Sequence, residues 1–284
     1  MNDNEINFWL DLFEDMTNKV EDAINTARND PQIRTITKIG ADGTPTHKID
    51  EYAEDMAIDI LKKSGKSLIV ISEESGTIKI GDNPEAIIIM DPLDGTSNAL
   101  KNIPCYGISL ALAKINSGED LEKITLEDIE IGYVKNFPIG DVYMAVKGHG
   151  ATKNDKPMQI SEITKASEST VSTYVYRAKK NSLSKLCSSV RRMRLMGAIA
   201  IELCYVADGT YDVFLDIGQV RVLDIAAAQL IIKENNGIVT NAKTGNINNQ
   251  LNLKEKTSII AAANEKIHEA VSYTHLTLPT KLRV

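Results

Sequence analysis

Residues 85–90, EAIIIM, run without interruption into DPLDGTSN, and this junction limits what the chain can fold into more than any other stretch. Consecutive large apolar side chains at strand length belong to a strand buried within a sheet. The aspartates that follow are then delivered to its carboxyl end, where ligand sites gather in α/β architectures. Pro92 cannot continue a hydrogen-bonded ladder, so the chain is expected to turn there. That turn swings Asp94 back toward Asp91 and brings the Leu93 carbonyl into the same space. Two carboxylates so close repel unless a cation lies between them. GTSN then reads as a helix start, with Gly95 allowing a ligand close to the backbone and Thr96 to Asn98 supplying capping oxygens.

The pattern recurs twice. SLIVISEESG is an apolar strand ending in Glu73 and Glu74, and VLDIAAAQL places Asp224 at the start of a helix packed by small alanines. Each alone is explained by a solvated turn or an N-cap. Three element ends from distant parts of the chain, all offering carboxylate without Cys or His, make an oxygen-only set suited to a hard cation such as Mg²⁺. With helix N–H groups free to hold an anion, the chemistry indicated is metal-assisted phosphoryl transfer.

Around these motifs the chain alternates helices and strands. Ile6, Trp9, Phe13, Met16, Val20, Ile24 and Ala27 are spaced as one stripe of a long helix. A Gly/Thr/Pro-rich segment, KIGADGTPTHK, reads as a loop before a second helix from about Asp50. The runs YGISLALAKI, IEIGYVKN and GDVYMAVK read as strands, the last two joined by a hairpin at NFPIG. A polar stretch, SEITKASES, marks a boundary, giving residues 1–165 as one domain and 166–271 as a second, α/β domain. The final SYTHLTLPTKLRV loses periodicity, so 272–284 is expected to be a disordered or foreign tail.

Bulk properties narrow the function. With 284 residues, 43% hydrophobic and 25% charged, the chain suits one large or two packed globular domains. A net charge of -7 argues against a nucleic-acid groove built on bulk charge. No apolar run approaches the ~20 residues of a membrane span. Three widely spaced cysteines with no CxxC pair fit a reducing cytoplasm. SGKS lacks the P-loop glycine, since Ile60 stands there, and KGHGATK lacks the third glycine of a dinucleotide fingerprint. Asp91 and Asp94 are one residue too far apart for the DxD of haloacid-dehalogenase phosphatases.

SEESG, DPLDGTSN, MGAIAIELCYVADGTYDVFLD and LDIAAAQLIIKENNG, in this order and spacing, resemble the inositol monophosphatase superfamily. They are most similar to its archaeal-type fructose-1,6-bisphosphatase/inositol-1-monophosphatases. The resemblance implies a mixed α+β fold, the five-layer αβαβα sandwich, usually a homodimer, with two or three Mg²⁺ per subunit. It implies Glu73, Asp91, the Leu93 carbonyl, Asp94 and Asp224 as metal ligands. Asp50 and Thr96 become the pair acting on the attacking water, and Gly95 and Thr96 the phosphate-cradling donors beside Asp94. Arg194, Gly197 and Ala198 fall at the substrate-binding strand end. The segment 38–48 becomes a mobile lid, with Lys38 and Asp42 as contacts.

One departure concerns specificity. Dual-activity relatives commonly carry an arginine where DIGQVRVLD has Gly218, and Arg221 is the candidate to replace it at the substrate. The expected substrate is a small sugar or inositol phosphate. A 3'(2'),5'-bisphosphate nucleotidase of the same superfamily and a non-catalytic metal- or phosphate-binding protein are the alternatives.

Overall fold

The computed structural model describes residues 1–116, 118, 120–174 and 180–276. In chain order the first half holds α1 (Asp3–Ala27), β1 (Ile36–Ile39), β2 (Pro45–His47), α2 (Lys48–Lys63), β3 (Leu68–Ser72) and β4 (Gly76–Ile80). It continues with β5 (Ala86–Asp94), α3 (Thr96–Lys101), β6 (Gly107–Lys114), β7 (Ile129–Asn136), β8 (Asp141–Val146), β9 (Gly150–Lys153) and β10 (Lys156–Pro157). The second half holds β11 (Thr170–Thr173), α4 (Lys180–Ser189), β12 (Arg192–Arg194), α5 (Ile199–Ala207) and β13 (Val213–Arg221). It ends with α6 (Val222–Glu234), β14 (Ile238–Thr240), β15 (Lys256–Ala262) and α7 (Glu265–Leu276).

Helix α1 buries the stripe that its periodicity predicts, from Ile6 through Ala27. With α2 it covers one face of an eight-stranded sheet ordered β10-β9-β8-β7-β6-β5-β3-β4, where Phe13, Met16 and Leu61 meet Val70, Ile88, Met90 and Leu110. The alternate residues Ile71, Ile87, Ile89 and Ala111 point to the opposite face, against α5 and α6. Burial on both faces is why β5 is apolar at every position before its acids.

The helices α5 and α6 are covered in turn by a five-stranded sheet, β12-β11-β13-β15-β14, through Phe214, Ile259 and Ala261. Its outer face packs Val213, Leu215 and Ile260 against Leu186 of α4 and Ile267 and Val271 of α7. The result is the expected αβαβα sandwich. Being enclosed by two sheets, α6 is apolar nearly all round, and alanines let the sheets approach. At Gly132 of β7 the approach is tight: a Cβ there would lie 2.6 Å from the Ala227 carbonyl, so only glycine lets α6, and with it Asp224, settle this deeply.

Several local details differ from the sequence expectations. Segment 38–48 is most of a β1–β2 hairpin, not a bare loop, closed by the Gly40 amide on the Thr44 carbonyl at 2.8 Å. Pro92 does not end β5. The ladder with β6 shifts between Asp91 and Asp94 and then resumes, Asp94 opposite Gly107, because a bulge-like irregularity absorbs the missing N–H. Helix α7 continues to Leu276, with Val271 and Ser272 buried, so the chain keeps its helical packing into the expected tail. Residues 277–284 lie outside the described residues. No helix among those described is long and apolar enough to cross a membrane.

Candidate active site

The irregularity in β5 gathers the site. Asp91 is 3% exposed and its Oδ1 accepts the Leu93 amide at 3.0 Å, which fixes the tight turn through Pro92. Asp94 faces α5: its carboxylate accepts the amides of Ile199 at 3.0 Å and Ala200 at 2.9 Å, the unpaired donors of that helix's first turn. Gly95 takes φ +89, and a Cβ there would lie 2.9 Å from the Cys105 carbonyl and 3.1 Å from Ala198. Glycine therefore lets Ala198 and the β6 entry close around the DPLDGT turn.

The expected capping by Thr96 to Asn98 does not occur. Gly95 is the N-cap of α3 and offers no side chain, while the Thr96 hydroxyl donates to Asp50 Oδ1 at 2.8 Å. His47 is the N-cap of α2, and Asp50 Oδ2 accepts the His47 amide at 2.8 Å. Both oxygens of Asp50 are thus committed, one to hold α2 and one to hold Thr96. Thr96 Oγ1 also lies 3.2 Å from the Leu93 carbonyl. Asn98 instead ties the site together, its Nδ2 donating to the carbonyls of Cys105 and Met196, both at 2.7 Å.

Glu73 and Glu74 follow β3 in a turn held by Glu54, 1% exposed on α2, which accepts the amides of Glu74 at 3.2 Å and Ser75 at 3.1 Å. Thr46 of β2 donates to Glu74. The hairpin tip docks on this turn through the Ala41 amide on the Glu74 carbonyl and the Asp42 amide on the Glu73 carbonyl. Lys38 turns away, 3.8 Å from Glu51. Asp224 stands three residues past Arg221, the N-cap of α6.

These acids crowd one another. Burial pushes the Asp91 carboxyl well above the usual carboxylate range, reinforced by the charges of Glu73 and Asp94. Asp94 rises to about 7 through burial and the charge of Asp224. Glu73 rises to about 8 through burial despite the opposing effect of Arg221, and Glu74 to about 7 through burial. Asp50, also raised by burial, reaches about 6 although Thr96 and His47 hydrogen-bond its charged form.

Among the described residues, no three His, Cys, Asp or Glu side chains converge as a formed metal-holding group. A positive charge is present among them nonetheless. Arg221, the candidate substrate contact, donates to Asp224 at 2.6 Å, to Glu73 at 2.5 Å and to Asp42. The guanidinium rests on two of the expected ligands, and an all-oxygen donor set of this kind is of the type that suits a hard cation such as Mg²⁺. Arg194 is exposed, its Nη1 on the Met193 carbonyl at 3.0 Å. The Gly197 amide donates to Glu202 Oε1 at 2.9 Å, and Glu202 also accepts the hydroxyls of Ser172 at 2.5 Å and Tyr174 at 3.1 Å.

Glu202, Glu54 and Asn98 were not singled out as site residues by sequence reasoning. Glu202 carried a visible signal, an isolated acid within the apolar run GAIAIELCYVA, whereas Asn98 looked like an ordinary helix-start residue.

Comparison with known proteins places the chain in a family. The inositol monophosphatase family matches residues 11–276. A fructose-1,6-bisphosphatase/inositol-1-monophosphatase of Methanothermobacter thermautotrophicus is 41% identical over 278 residues, covering 96% of this chain and 99% of that protein. A bifunctional NADP phosphatase/NAD kinase of Methanocaldococcus jannaschii is 39% identical, covering 92% of this chain and 48% of that protein. A solved inositol monophosphatase-fructose 1,6-bisphosphatase superposes with a TM-score of 0.82 at 26% identity, covering 94% of this chain and 99% of the other. With the fold and the order of motifs in place, the chain belongs to the inositol monophosphatase family and is a phosphatase.

Proposed function

We propose that this phosphatase hydrolyses fructose 1,6-bisphosphate and inositol 1-phosphate, with Mg²⁺ held by Glu73, Asp91, the Leu93 carbonyl, Asp94 and Asp224. The observation that carries the reading is the Thr96 hydroxyl aimed at Asp50 Oδ1 at 2.8 Å, beside the Leu93 carbonyl and the buried acids. Bound Mg²⁺ supplies Lewis acidity, easing loss of a proton from water and stabilising charge on the phosphoryl and leaving oxygens. Two or three ions per subunit are expected.

The chain's own part is proton handling and orientation. Thr96 Oγ accepts a hydrogen bond or proton from the attacking water as its own proton moves to Asp50, so the pair acts as one base. An apparent pKa of about 6 leaves Asp50 ionised at neutral pH yet basic enough to receive that proton. Gly95 and the backbone of Thr96 open α3 toward the phosphate, while Gly197 and Ala198, braced by Glu202 and Asn98, and the exposed Arg194 border the rest of the substrate. Cations held by the acids also explain how a protein of net charge -7 attracts phosphate esters. The same reading makes residues 1–165 the bearer of most ligands and 166–271 the part that completes the site, in a cytoplasmic homodimer.

Likeness to an NADP phosphatase favours a second substrate class, the 2'-phosphate of a nucleotide. Phosphate release at saturating Mg²⁺ from fructose 1,6-bisphosphate, inositol 1-phosphate, NADP and adenosine 3',5'-bisphosphate separates the two. The sugar and inositol esters are expected to show kcat/KM about tenfold or more above the nucleotides. Faster turnover of either nucleotide would replace the proposed substrate.

A further inference from the structure

Glu202 of α5 is fully buried, an acid inside the apolar run GAIAIELCYVA. Its carboxyl group joins three donors from two parts of the chain. Oε1 accepts the Gly197 amide at 2.9 Å and the Tyr174 hydroxyl at 3.1 Å, and Oε2 accepts the Ser172 hydroxyl at 2.5 Å. Ser172 lies in β11, opposite Arg194 of β12, and Tyr174 follows the last residue of β11. Gly197 opens the turn into α5 with φ +90 and is exposed, whereas Ser172 and Tyr174 are buried. From the other side Asn98 of α3 donates to the Met196 carbonyl at 2.7 Å, so the turn 196–198 is held between α3 and Glu202.

Packing alone does not call for an acid here. Methionine would fill a similar volume without taking a carboxyl group out of water, so the acid points to a geometry that only its hydrogen bonds set. That geometry is one of a surface: the turn 196–198 and the end of β12 hang on a group that a substrate cannot reach. Helix α5 has a separate anchor. Asp94 accepts the amides of Ile199 at 3.0 Å and Ala200 at 2.9 Å, so loss of Glu202 would free the turn without detaching the helix from the DPLDGT segment. With the amides of Gly197, Ile199 and Ala200 all committed to protein carboxyl groups, the start of α5 keeps few donors for a second phosphate, and its border suits the hydroxyls of a polyol.

We infer that Glu202 is a positioning residue for specificity: by fixing the turn 196–198 against β11 it sets where the polyol hydroxyls of the substrate rest, and it takes no part in the chemistry at the phosphate. The inference rests on the proposed placement of the substrate beside Gly197, Ala198 and Arg194. Buried behind Gly197, the acid acts only through the backbone it holds.

Steady-state kinetics at saturating Mg²⁺ test it, on the parent, Glu202→Met, Glu202→Asp and Glu202→Gln, with inositol 1-phosphate and with phenyl phosphate, whose leaving group has no polyol hydroxyls. Glu202→Met and Glu202→Asp should raise KM for inositol 1-phosphate about tenfold while kcat, and KM for phenyl phosphate, stay within about twofold of the parent. Methionine removes the acceptor. Aspartate keeps it but is one methylene too short to reach both Gly197 and β11, so it serves even if Glu202→Met folds poorly. Glu202→Gln should restore KM to within about twofold, its amide oxygen accepting from Gly197 and Tyr174 while its NH2 donates to the Ser172 hydroxyl. An unchanged KM for inositol 1-phosphate in the aspartate variant overturns the inference, and so does an equal loss on both esters, the mark of general damage to the fold. A parent that hydrolyses phenyl phosphate but not inositol 1-phosphate overturns the substrate reading itself, a failure seen before any variant is made.

Discussion

Replacing Asp50 with asparagine is expected to lower kcat by about a hundredfold to ten-thousandfold, the range for loss of a positioned general base. The amide still accepts a hydrogen bond from Thr96 but cannot receive its proton. Thr96→Val should cost a similar factor, and the double variant little more than either single one, because a relay already broken at one member has nothing further to lose. The pH profile gives an independent check. In the parent, kcat should rise as pH passes through about 6, where the Asp50 carboxyl ionises, and this limb should vanish in Asp50→Asn. KM should change little, since neither oxygen of Asp50 is free to hold substrate. Steady-state kinetics at saturating Mg²⁺ across pH 5 to 8 would show this; an unchanged acid limb in the variant would remove Asp50 from the proton path.

Asp91→Asn is expected to move stability and activity in opposite directions. Activity should fall by about a hundredfold or more, as a charge aimed at the reaction centre is lost. In EDTA, however, the variant should melt roughly 2–6 °C above the parent at pH 8, the scale of a kcal/mol or two in a chain of this size. The cause is the environment of Asp91: buried, and flanked by Glu73 and Asp94, its ionised form is disfavoured in the fold. A carboxyl raised in the folded state contributes stability below its unfolded pKa and loses it as pH rises through the folded value. The parent in EDTA should therefore melt higher at pH 5 than at pH 8, with a flatter profile in Asp91→Asn. The amide keeps the oxygen that accepts the Leu93 N–H, so the turn itself is preserved. Scanning calorimetry distinguishes this from the opposite result, a variant less stable at every pH, which would make Asp91 a structural anchor.

Both predictions depend on side chains whose types were legible in the sequence and whose partners were not. The strand β5 and the helix α1 could be read because burial imposes a pattern on consecutive residues: uninterrupted apolar side chains for a strand covered on two faces, spacing of three and four for a helix covered on one. The acids after β3 and β5 stood out because nothing in a strand end calls for them. The β1–β2 hairpin was hidden, since glycine, threonine and proline around Gly40 to Pro45 signal a turn whether or not the flanking residues pair. Its strands are short, and every residue of β1 is exposed, so no burial pattern marked them.

The contacts that assemble the site were further out of reach. Thr96 looked like a cap because hydroxyls at helix starts usually satisfy the helix's own amides; here Gly95 leaves that position bare and the hydroxyl turns to a residue on α2. The sequence offers Arg221 as a substrate contact because relatives carry an arginine where this chain has Gly218. Its position three residues before Asp224, at the start of α6, also brings it onto the acids, a contact the sequence does not display. Glu54 shared a helix face with Asp50 in the sequence, but its grip on the Glu74 and Ser75 amides depends on where β3 ends in space.

The central claim is that these buried acids serve a Mg²⁺-dependent phosphatase. The measurement that meets it most directly is inorganic phosphate release from fructose 1,6-bisphosphate by EDTA-treated protein during a Mg²⁺ titration, run in parallel on Asp91→Asn. Release is predicted to be absent at the start, to rise saturably with Mg²⁺, and to stay near background in the variant. Full-rate release in EDTA, or an Asp91→Asn variant as fast as the parent, would contradict it.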